Sequence, residues 1–449
     1  MKWPFSYGHS PTERLRTAIL CVVRVAIMTA GSRGDVAPFT GLGAGLVRAG
    51  HEVTLVTHAR FAPLVTGSGV GFHALPLDPR AELESERGQG LHRSTTGPGK
   101  LLRVARMARA LVGRMTDDLL TAAQESDVLL LSASVAPLGH AIAEGLALPS
   151  LGLYLQPVAP TREFGPPLLG GGSWGAVGNR LAGHGVGVAF EQIFAPVLPT
   201  VRARLGLPAV RRAAGLRARD RERRGWPVLH GFSPLVVPRP RDWRPELDVT
   251  GYWWPYDRET RLPAAVREFL DAGEPPVFVG LGSATVPDPR RLSAEIVRAL
   301  RRAGLRGVIQ RGWAGLAADG DDMLTVDDVP HSLLFPETAA VVHHCGAGTT
   351  AAGVRAGVPA VPVPIQFDET FWADRLVALG VAPRTLPLRH LTADTLTAAL
   401  VRATRDPEHR ERARELGARV RGENGVERVV AAVARLSSDR PGKNKHDRL

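Results

Sequence analysis

The residues best suited to chemistry lie in the segment HHCGAGTTAAG, residues 343–353. An apolar run that ends at His344 predicts a strand, and the small residues that follow predict a helix. A glycine turn that opens a helix aims unpaired backbone N–H groups outward, and the helix dipole strengthens their attraction for an anion. The segment therefore predicts a phosphate site to which His344 and the Thr349 hydroxyl donate. His343 and Cys345 are interpreted as packing residues.

The glycine turn also fits a dinucleotide fingerprint, G-x-G-x-x-A, at Gly346, Gly348 and Ala351. Asp368 lies beyond the next predicted strand, where such proteins place an acidic residue. Position in the domain counts against this interpretation, because the fingerprint normally opens its domain and three predicted strands of the same half come first here. An NAD-binding enzyme is therefore kept as the alternative to a protein that binds another nucleotide.

Two long regions alternate apolar strands with helices, which is the pattern of parallel sheets covered on both faces. We expect an α/β protein of two doubly wound domains that face each other across a cleft, where ligands commonly bind. A glycine- and proline-rich stretch at 157–187 is predicted to be a binding loop. The predicted strands are 24–30, 52–58, 127–133, 150–156, 275–283, 306–311, 323–326, 339–344 and 359–364. The predicted boundaries are a flexible tail over 1–19, a first domain over 20–232, a linker over 233–257, a second domain over 258–436 and a polar tail over 437–449.

The composition fits a globular protein, with 449 residues, 44% hydrophobic residues and a net charge of +12. Two cysteines fit a reducing cytoplasm, and no apolar run is long enough to insert stably into a bilayer. The positive charge is densest over 201–225, where nine arginines accompany only Asp220 and Glu222. Because this segment has no aromatic residue to stack on bases, it is interpreted as a solvated connection and not as a nucleic-acid site. Contact with anionic lipid headgroups is the alternative.

Several segments in order resemble family 1 inverting glycosyltransferases of the GT-B fold. HHCGAGTTAAGVRAGVPAVPVPIQFDETFWADRLVALGVAP, from His343 onward, is similar to their donor-binding signature, and GSRGDVAPFTGLGAGLVRAGHEV (31–53) is similar to their N-terminal loop and helix. GLGS (280–283) and VPHSLLFP (329–336) match further donor loops. Within the family, the chain looks most like the sterol glucosyltransferase-like and bacterial antibiotic-glycosylating branch.

The resemblance implies that the first Rossmann-like domain binds an acceptor and the second binds a nucleoside-diphosphate sugar, UDP- or dTDP-linked, with no other cofactor. It assigns the diphosphate to His344, Gly346, Gly348, Thr349 and Ser283, the nucleoside to Val329, Pro330 and His331, and the sugar to Asp368 and Glu369. The family usually has Asp-Gln at this last pair, and a carboxylate cannot donate a hydrogen bond as glutamine does. The identity of the sugar is therefore left open.

The acceptor is expected near 157–190, where apolar and glycine-rich sequence with Trp174 and Phe190 suits a lipophilic molecule such as a sterol, terpenoid or polyketide. An alternative within the fold is an enzyme that epimerises or hydrolyses a sugar nucleotide without an acceptor. The sequence does not indicate the oligomeric state.

Two acidic positions bear on the reaction. The resemblance implies that Asp35 takes the proton of the attacking hydroxyl, although Asp35 is also a favoured N-cap for the helix predicted from Val36. The helix start near Gly348 would stabilise the leaving phosphate, so no metal is expected. Asp319 and Asp321 have the D-x-D spacing of metal-dependent glycosyltransferases, but their polar, glycine-containing context favours a solvated turn.

Overall fold

A computed structural model describes residues 22–76, 112–209 and 220–438. The first sheet is parallel, with the strand order β3-β2-β1-β4-β5-β6-β7. Its central strand β1 pairs with β2 on one side and β4 on the other, and Ile27 lies opposite both Leu55 and Leu130. The strands are β1 Arg24–Met28, β2 Glu52–His58, β3 Gly71–Leu75, β4 Val128–Ser132, β5 Ser150–Tyr154, β6 Val228–His230 and β7 Leu247–Val249.

Helices cover both faces of this sheet because its strands are apolar on both sides, as the sequence pattern predicts. β4 is buried along its whole length. The helices are α1 Arg33–Arg48, α2 over 112–124, α3 Ala136–Gly145, α4 Gly175–Phe194 and α5 Leu198–Arg204. Short 3-10 turns follow β2 at Ala59–Val65 and precede α4 at Pro167–Leu169. The predicted tail over 1–19 and the first part of the helix predicted near 100–125 lie outside the described residues.

The second sheet repeats the architecture, with parallel strands in the order β10-β9-β8-β11-β12. These strands are β8 Val277–Gly280, β9 Gly307–Gln310, β10 Met323–Val326, β11 Ala340–His343 and β12 Ala360–Pro362. The helices are α6 Ala264–Asp271, α7 Pro289–Ala303, α8 His331–Leu334, α9 Ala347–Ala356, α10 Glu369–Ala378, α11 Ala393–Arg405, α12 Pro407–Arg421 and α13 Gly425–Ser438. In both sheets the order reverses beside the first strand, at β1/β4 and at β8/β11. Ligands of such folds bind at these switch points, beyond the carboxyl ends of the strands.

The two domains share a continuous apolar core. Phe232, after β6, lies edge to face with Trp372 of α10, with 6.1 Å between the ring centroids. Helix α13 returns to the first domain, where Val429 and Val433 are fully buried in the cluster that contains Ile27. The predicted second domain over 258–436 therefore gives its last helix to the first domain, because the apolar face of α13 is buried against α1.

Two other segments differ from the prediction. The segment 233–257, predicted as a linker, contains β7, which completes the first sheet beside β6. Its tryptophans and valines are core residues, among them Val236, Val237 and Trp243. The predicted binding loop over 157–187 is a loop only as far as Trp174, and α4 then begins at Gly175. Glycine and β-branched residues have weak helix propensity, but packing of one helix face outweighs this here.

Candidate active site

Asp35 lies at the start of α1, just after β1, at the switch point of the first sheet. The helix begins at Arg33 and not at Val36, since Ser32 is the N-cap and Asp35 is the third helical residue. Asp35 Oδ2 accepts hydrogen bonds from the Ser32 backbone N–H (2.8 Å) and the Ser32 hydroxyl (3.0 Å). Asp35 is therefore not the N-cap that the sequence suggested, but the reciprocal residue of a capping box.

The loop that carries Asp35 is fixed on several sides. His58 Nε2, at the end of β2, accepts the Gly31 N–H (3.1 Å), and the Ser134 hydroxyl accepts the Ala30 N–H (3.2 Å). Gly31 has a φ of 146°, and a Cβ there would lie 2.4 Å from Asp35 Oδ2. A side chain at Gly31 would therefore displace the carboxylate. The positioning role of His58 was not predicted, although His58 is the last residue of the predicted strand over 52–58.

The two oxygens of the Asp35 carboxylate have different surroundings. Oδ2 is held by Ser32, whereas Oδ1 has no hydrogen-bond partner among the described residues. Burial raises the pKa of Asp35 above its ordinary value, and the two hydrogen bonds from Ser32 lower it in part. A carboxylate with a raised pKa is a stronger base than an exposed aspartate.

The N-terminus of α9 lies at the switch point of the second sheet. Gly346 is the N-cap, and no described side chain caps this helix. A Cβ at Gly348 would have nothing within 4 Å, so the space in front of the first turn is open. Thr349 is half-buried beside this space, whereas Thr350 is buried. The open, uncapped start of a ten-residue helix suits an anion.

His344 lies between two glycine turns. A Cβ at Gly346 would be 2.5 Å from its Nε2, and one at Gly282 would be 2.6 Å from its Cε1. Gly282 follows β8 with a φ of 56°, and Ser283 comes next. The three predicted diphosphate elements, His344, Ser283 and the α9 turn, are thus brought together.

The His344 ring is neutral near neutral pH. Burial lowers the pKa of His344 to about 4. Its Nδ1 is buried without a hydrogen-bond partner in the described chain. A neutral imidazole carries one N–H donor. His344 can therefore bind a phosphate oxygen through a hydrogen bond, and not as a positive countercharge.

His343 and Cys345 have structural roles, as their interpretation as packing residues predicts. His343 is buried, and its Nδ1 accepts the Cys345 N–H at 3.1 Å. Cys345 is fully buried with a φ of 68°, a conformation that non-glycine residues seldom adopt. This strained residue turns the chain between β11 and α9.

The predicted nucleoside segment lies at the carboxyl side of β10, but its side chains differ in access. Val329 is 4% exposed and packs in the core, so only its backbone can face a nucleotide. His331 is half-buried and stacks on Phe335 at 4.3 Å. Burial lowers the pKa of His331 to about 4. Pro330 precedes α8 and shapes the turn.

Trp313 was missed by the sequence analysis. It follows β9, and its backbone N–H donates to the Gly282 carbonyl at 3.1 Å, next to the Ser283 turn. The Arg60 guanidinium, from the first domain, lies 5.7 Å from the Trp313 ring centroid. Trp313 follows the predicted strand over 306–311 by two residues, and this position is the signal that could have identified it.

The adjacent carboxylates of Asp368 and Glu369 make different contacts. Asp368 Oδ2 accepts the Trp372 indole N–H at 2.8 Å, and Oδ1 has no hydrogen bond to a described residue. Glu369 is buried, and its Oε2 accepts the backbone N–H groups of Ile365 (2.6 Å) and Gln366 (2.7 Å). Asp368 is therefore available to a sugar hydroxyl, whereas this oxygen of Glu369 holds the loop, contrary to the expectation of a sugar ligand.

Phe367, immediately before Asp368, has a φ of 52° and is 45% exposed. A left-handed phenylalanine costs free energy, so other contacts must hold the loop in place. The two hydrogen bonds to Glu369 Oε2 supply such contacts.

We expect Glu369→Ala to lower the free energy of unfolding by about 2–3 kcal/mol, because two backbone N–H groups lose a charged acceptor. Glu369→Gln keeps a carbonyl acceptor and should lose less. Denaturant unfolding of both variants measures this. An alanine variant as stable as the wild type, with only a raised KM for the donor, would instead identify Glu369 as a sugar ligand.

The predicted acceptor residues are not brought together. Trp174 is 54% exposed immediately before α4, whereas Phe190 is half-buried and packs on Phe194, with 5.5 Å between centroids. They are sixteen positions apart, which corresponds to about 24 Å along a helix. The loop from 157 to 167 instead lines a small cavity with Asn179 and Gly183. Trp174 stays a candidate for the mouth of the cleft, and Phe190 is a packing residue.

The two switch points meet across the cleft. α1 contacts α9, and Asp35 is near enough to Asp368 to raise the pKa of Asp368, after the larger effect of burial. Arg33 pairs with Asp328 of the second domain and not with Asp35. Asp35, the N-terminus of α9 and Asp368 therefore lie close together at the cleft.

The acidic pair Asp319 and Asp321 lies elsewhere. The turn precedes β10, so it is at the amino edge of the sheet, opposite the edge that carries His344. Asp322 pairs with Arg301, which also donates to the Asp319 carbonyl. Within the described residues, no group of three metal-ligating side chains is close enough to hold an ion.

Comparison with known families gives two matches along the chain. Residues 25–164 match the glycosyltransferase family 28 N-terminal domain. Residues 307–436 match the erythromycin biosynthesis protein CIII-like C-terminal domain. The matched regions contain the loop with Asp35 and the turn with His344.

Two relatives are similar over nearly the whole chain. A sterol 3-beta-glucosyltransferase of Arabidopsis thaliana is 32% identical, over 96% of this chain and 70% of its own length. The O-mycaminosyltylonolide 6-deoxyallosyltransferase of Streptomyces fradiae is 35% identical, over 93% of this chain and 98% of its own. This chain belongs to the same glycosyltransferase family. The glycosyltransferase spans a smaller share of other relatives, 65% of a second Arabidopsis sterol 3-beta-glucosyltransferase and 27% to 35% of fungal ones.

Solved structures confirm the fold of this glycosyltransferase. SsfS6 of Streptomyces sp. SF2575, in complex with thymidine diphosphate, superposes with a TM-score of 0.62 over 92% of this chain and 99% of its own, at 24% identity. The predicted GT-B architecture of two Rossmann-like domains is therefore confirmed. The expected glycosyltransferase family is confirmed by the two relatives above.

Proposed function

We propose that the protein transfers a sugar from a UDP- or dTDP-linked donor to a hydroxyl group of a lipophilic acceptor, with inversion at the anomeric carbon. The observation that carries the proposal is the convergence of Asp35, on the first domain, with the uncapped start of α9 and His344, on the second. Asp35 can take a proton, while the start of α9 and His344 can stabilise a leaving phosphate. Transfer needs both groups.

The reaction is a direct displacement. The acceptor hydroxyl attacks the anomeric carbon and forms the new C–O bond, while the bond from that carbon to the diphosphate oxygen breaks with both electrons. Asp35 Oδ1 takes the hydroxyl proton, and Ser32 keeps the carboxylate oriented through Oδ2. Attack from the face opposite the leaving group inverts the configuration.

The leaving group is stabilised by donors that are in place before the reaction. The first backbone N–H groups of α9 and the His344 imidazole face the position of the diphosphate, and Ser283 adds a hydroxyl. Donors that need no reorganisation lower the barrier most. Asp368 binds a sugar hydroxyl and orients the anomeric carbon toward the acceptor.

Two observations support a lipophilic acceptor. The first domain places exposed apolar side chains beside the cleft, among them Leu168, Leu169 and Trp174. The names of two relatives give a sterol and O-mycaminosyltylonolide as acceptors.

The described cysteine, Cys345, is a free buried thiol, which fits our proposal of a cytoplasmic location.

The proposed reaction needs no metal, because the helix start and His344 supply the stabilisation. We therefore expect the initial rate to be unchanged in excess EDTA. Loss of the rate on chelation, followed by recovery with manganese, would make Asp319 and Asp321 candidates again and contradict this part of the proposal.

A donor and acceptor screen read by mass spectrometry tests the function. UDP- and dTDP-sugars are each combined with sterol, terpenoid and polyketide alcohols, and the product mass gives the sugar. Transfer to at least one acceptor is the expected result. Release of free sugar at the same rate without any acceptor would favour a hydrolase instead, and tight NAD binding without UDP or dTDP binding would favour a dinucleotide enzyme.

A further inference from the structure

The 164–172 loop of the first domain is held at both of its ends. Asn179, a buried residue of α4, accepts the Trp174 backbone N–H at 2.8 Å and donates to the Arg162 carbonyl at 3.1 Å. Asp242, between β6 and β7, accepts the Arg162 backbone N–H at 3.0 Å. One side chain therefore joins the start of the loop to its end, as in the neck of an Ω-loop.

The chain within this loop is folded on itself. A Cβ at Gly165 would lie 2.1 Å from the Gly172 carbonyl oxygen, so the two limbs of the loop are in contact. The Pro166 carbonyl accepts the backbone N–H groups of Leu169 at 3.0 Å and Gly171 at 3.1 Å. The loop is therefore a compact unit that presents a defined surface to the second domain.

That surface packs on Phe371 of α10, across the cleft. The Phe164 ring lies 5.2 Å from the Phe371 ring, measured between centroids. Gly171 has a φ of 74°, and a Cβ there would lie 2.5 Å from Phe371 Cδ2 and 3.1 Å from Phe371 Cβ. Phe371 itself is only 4% exposed. The contact between the domains at this point is therefore apolar and close.

The contact lies beside the carboxylate that is proposed to bind the sugar. Phe371 follows Asp368 by three residues, which places it in the first turn of α10. The next residue, Trp372, donates its indole N–H to Asp368 Oδ2. Burial raises the pKa of Asp368, as expected for a carboxylate that is largely removed from water. The loop therefore covers the side of the cleft on which the sugar would bind.

The domains also meet at the other side of the cleft, through polar groups. Arg33 pairs there with Asp328, and both side chains are exposed. Asp328 follows β10 and α10 follows β12, and these are the two edge strands of the second sheet. The cleft is therefore bridged by an exposed ion pair at one edge and by aromatic packing at the other. Only the aromatic contact offers water no hydrogen-bond partner.

Water competes with the acceptor at the proposed reaction site. In hydrolysis, a water oxygen attacks the anomeric carbon, and the bond from that carbon to the diphosphate oxygen breaks with both electrons. Asp35 takes a water proton, and free sugar and nucleoside diphosphate are released. Asp35 and the start of α9 serve this reaction as well as they serve transfer. Selection of the acceptor therefore depends on excluding water from the anomeric carbon.

We propose that the contact of the 164–172 loop with Phe371 excludes water from the bound sugar and so makes the enzyme select an acceptor hydroxyl over water. Gly171 determines this selectivity, because any side chain there separates the loop from α10. The inference rests on the proposed function, and it assigns to this contact the ratio of transfer to hydrolysis.

Gly171→Ala tests the role of the contact. The added methyl group would lie 3.1 Å from Phe371 Cβ, an atom that no rotamer change can move away, so the loop must shift. The full-length protein is incubated with the donor and acceptor that give product in the screen above. Total release of nucleoside diphosphate and formation of glycosylated acceptor are measured in the same sample. We expect the ratio of hydrolysis to transfer to rise about tenfold.

Gly170→Ala is the matched control. Gly170 has a φ of 89°, so alanine there carries a similar backbone strain, but its nearest neighbour would be Thr370 at 3.8 Å, an ordinary contact. The ratio of hydrolysis to transfer should stay at the wild-type value. Phe164→Ala removes one ring of the contact without backbone strain and should raise the ratio. It keeps the test decisive if Gly171→Ala does not fold.

The outcomes separate this inference from the proposed function. Equal losses of transfer and hydrolysis in Gly171→Ala and Phe164→Ala, with an unchanged ratio, would show that the contact is merely structural. A rise of the same size in Gly170→Ala would assign the effect to backbone strain and would also overturn the inference. A wild type that consumes no donor would contradict the proposed function itself, and the inference with it.

Discussion

Asp35→Asn should lower kcat by about 10²–10⁴-fold, the usual contribution of a positioned general base. Asparagine has nearly the same shape and can still accept the hydrogen bonds from Ser32, so the start of α1 should persist. It cannot take a proton from the acceptor hydroxyl. Binding of UDP or dTDP, measured by calorimetry, should be unchanged, because the α9 turn is not altered.

The pH profile gives an independent readout of the same residue. Asp35 must be ionised to act as a base, so the rate should fall as the pH drops through its pKa. Burial raises the pKa of Asp35, so the acid limb should lie above the ordinary range of an aspartate. Ser32→Ala removes one lowering hydrogen bond and should move the limb to higher pH. A kcat of Asp35→Asn close to that of the wild type would remove Asp35 from the mechanism.

His344→Ala should lower kcat/KM by about 10²–10³-fold, as the loss of a preorganised donor to developing negative charge does elsewhere. The imidazole lies between the Gly282 and Gly346 turns, and no other described histidine occupies this position. Binding of the free nucleoside diphosphate should weaken as well, since the product carries the same charge. Steady-state kinetics and calorimetry with dTDP and UDP measure the two effects.

The pH dependence of this loss identifies the role of His344. Its pKa of about 4 means that the ring is neutral around pH 7, so the ratio of wild-type to variant rates should be constant there. A ratio that falls as the pH rises through the normal histidine range would indicate a charged imidazolium. His390→Ala, at an exposed 3-10 turn, is the matched control and should leave both rates unchanged.

Local sequence patterns were sufficient for the long buried strands, although they did not predict the short strands β3, β6 and β7 of the first sheet. Continuous apolar runs between turn residues place β1, β4, β8 and β11 to within a few residues, because a buried parallel strand tolerates little else. The proposed phosphate site at Gly348 also follows from local sequence, since a glycine turn ahead of a helix leaves its N–H groups open.

The features that the sequence did not predict depend on tertiary contacts. Helix α4 was predicted as loop, because glycine-rich sequence reads as irregular until one face has a surface to pack on. Glu369 could be read as a sugar ligand from its neighbour Asp368, whereas its bonds to Ile365 and Gln366 depend on how the loop folds back. Likewise, the position of α13 on the first domain depends on its contact with α1, which the sequence of α13 alone does not show.

A crystal structure with bound dTDP or UDP tests the central claim most directly. We predict that the diphosphate contacts the first N–H groups of α9, beside His344 and Gly348, with its outer phosphate directed toward Asp35. A nucleotide bound away from the α9 turn, or one whose diphosphate is not contacted by His344, would contradict it.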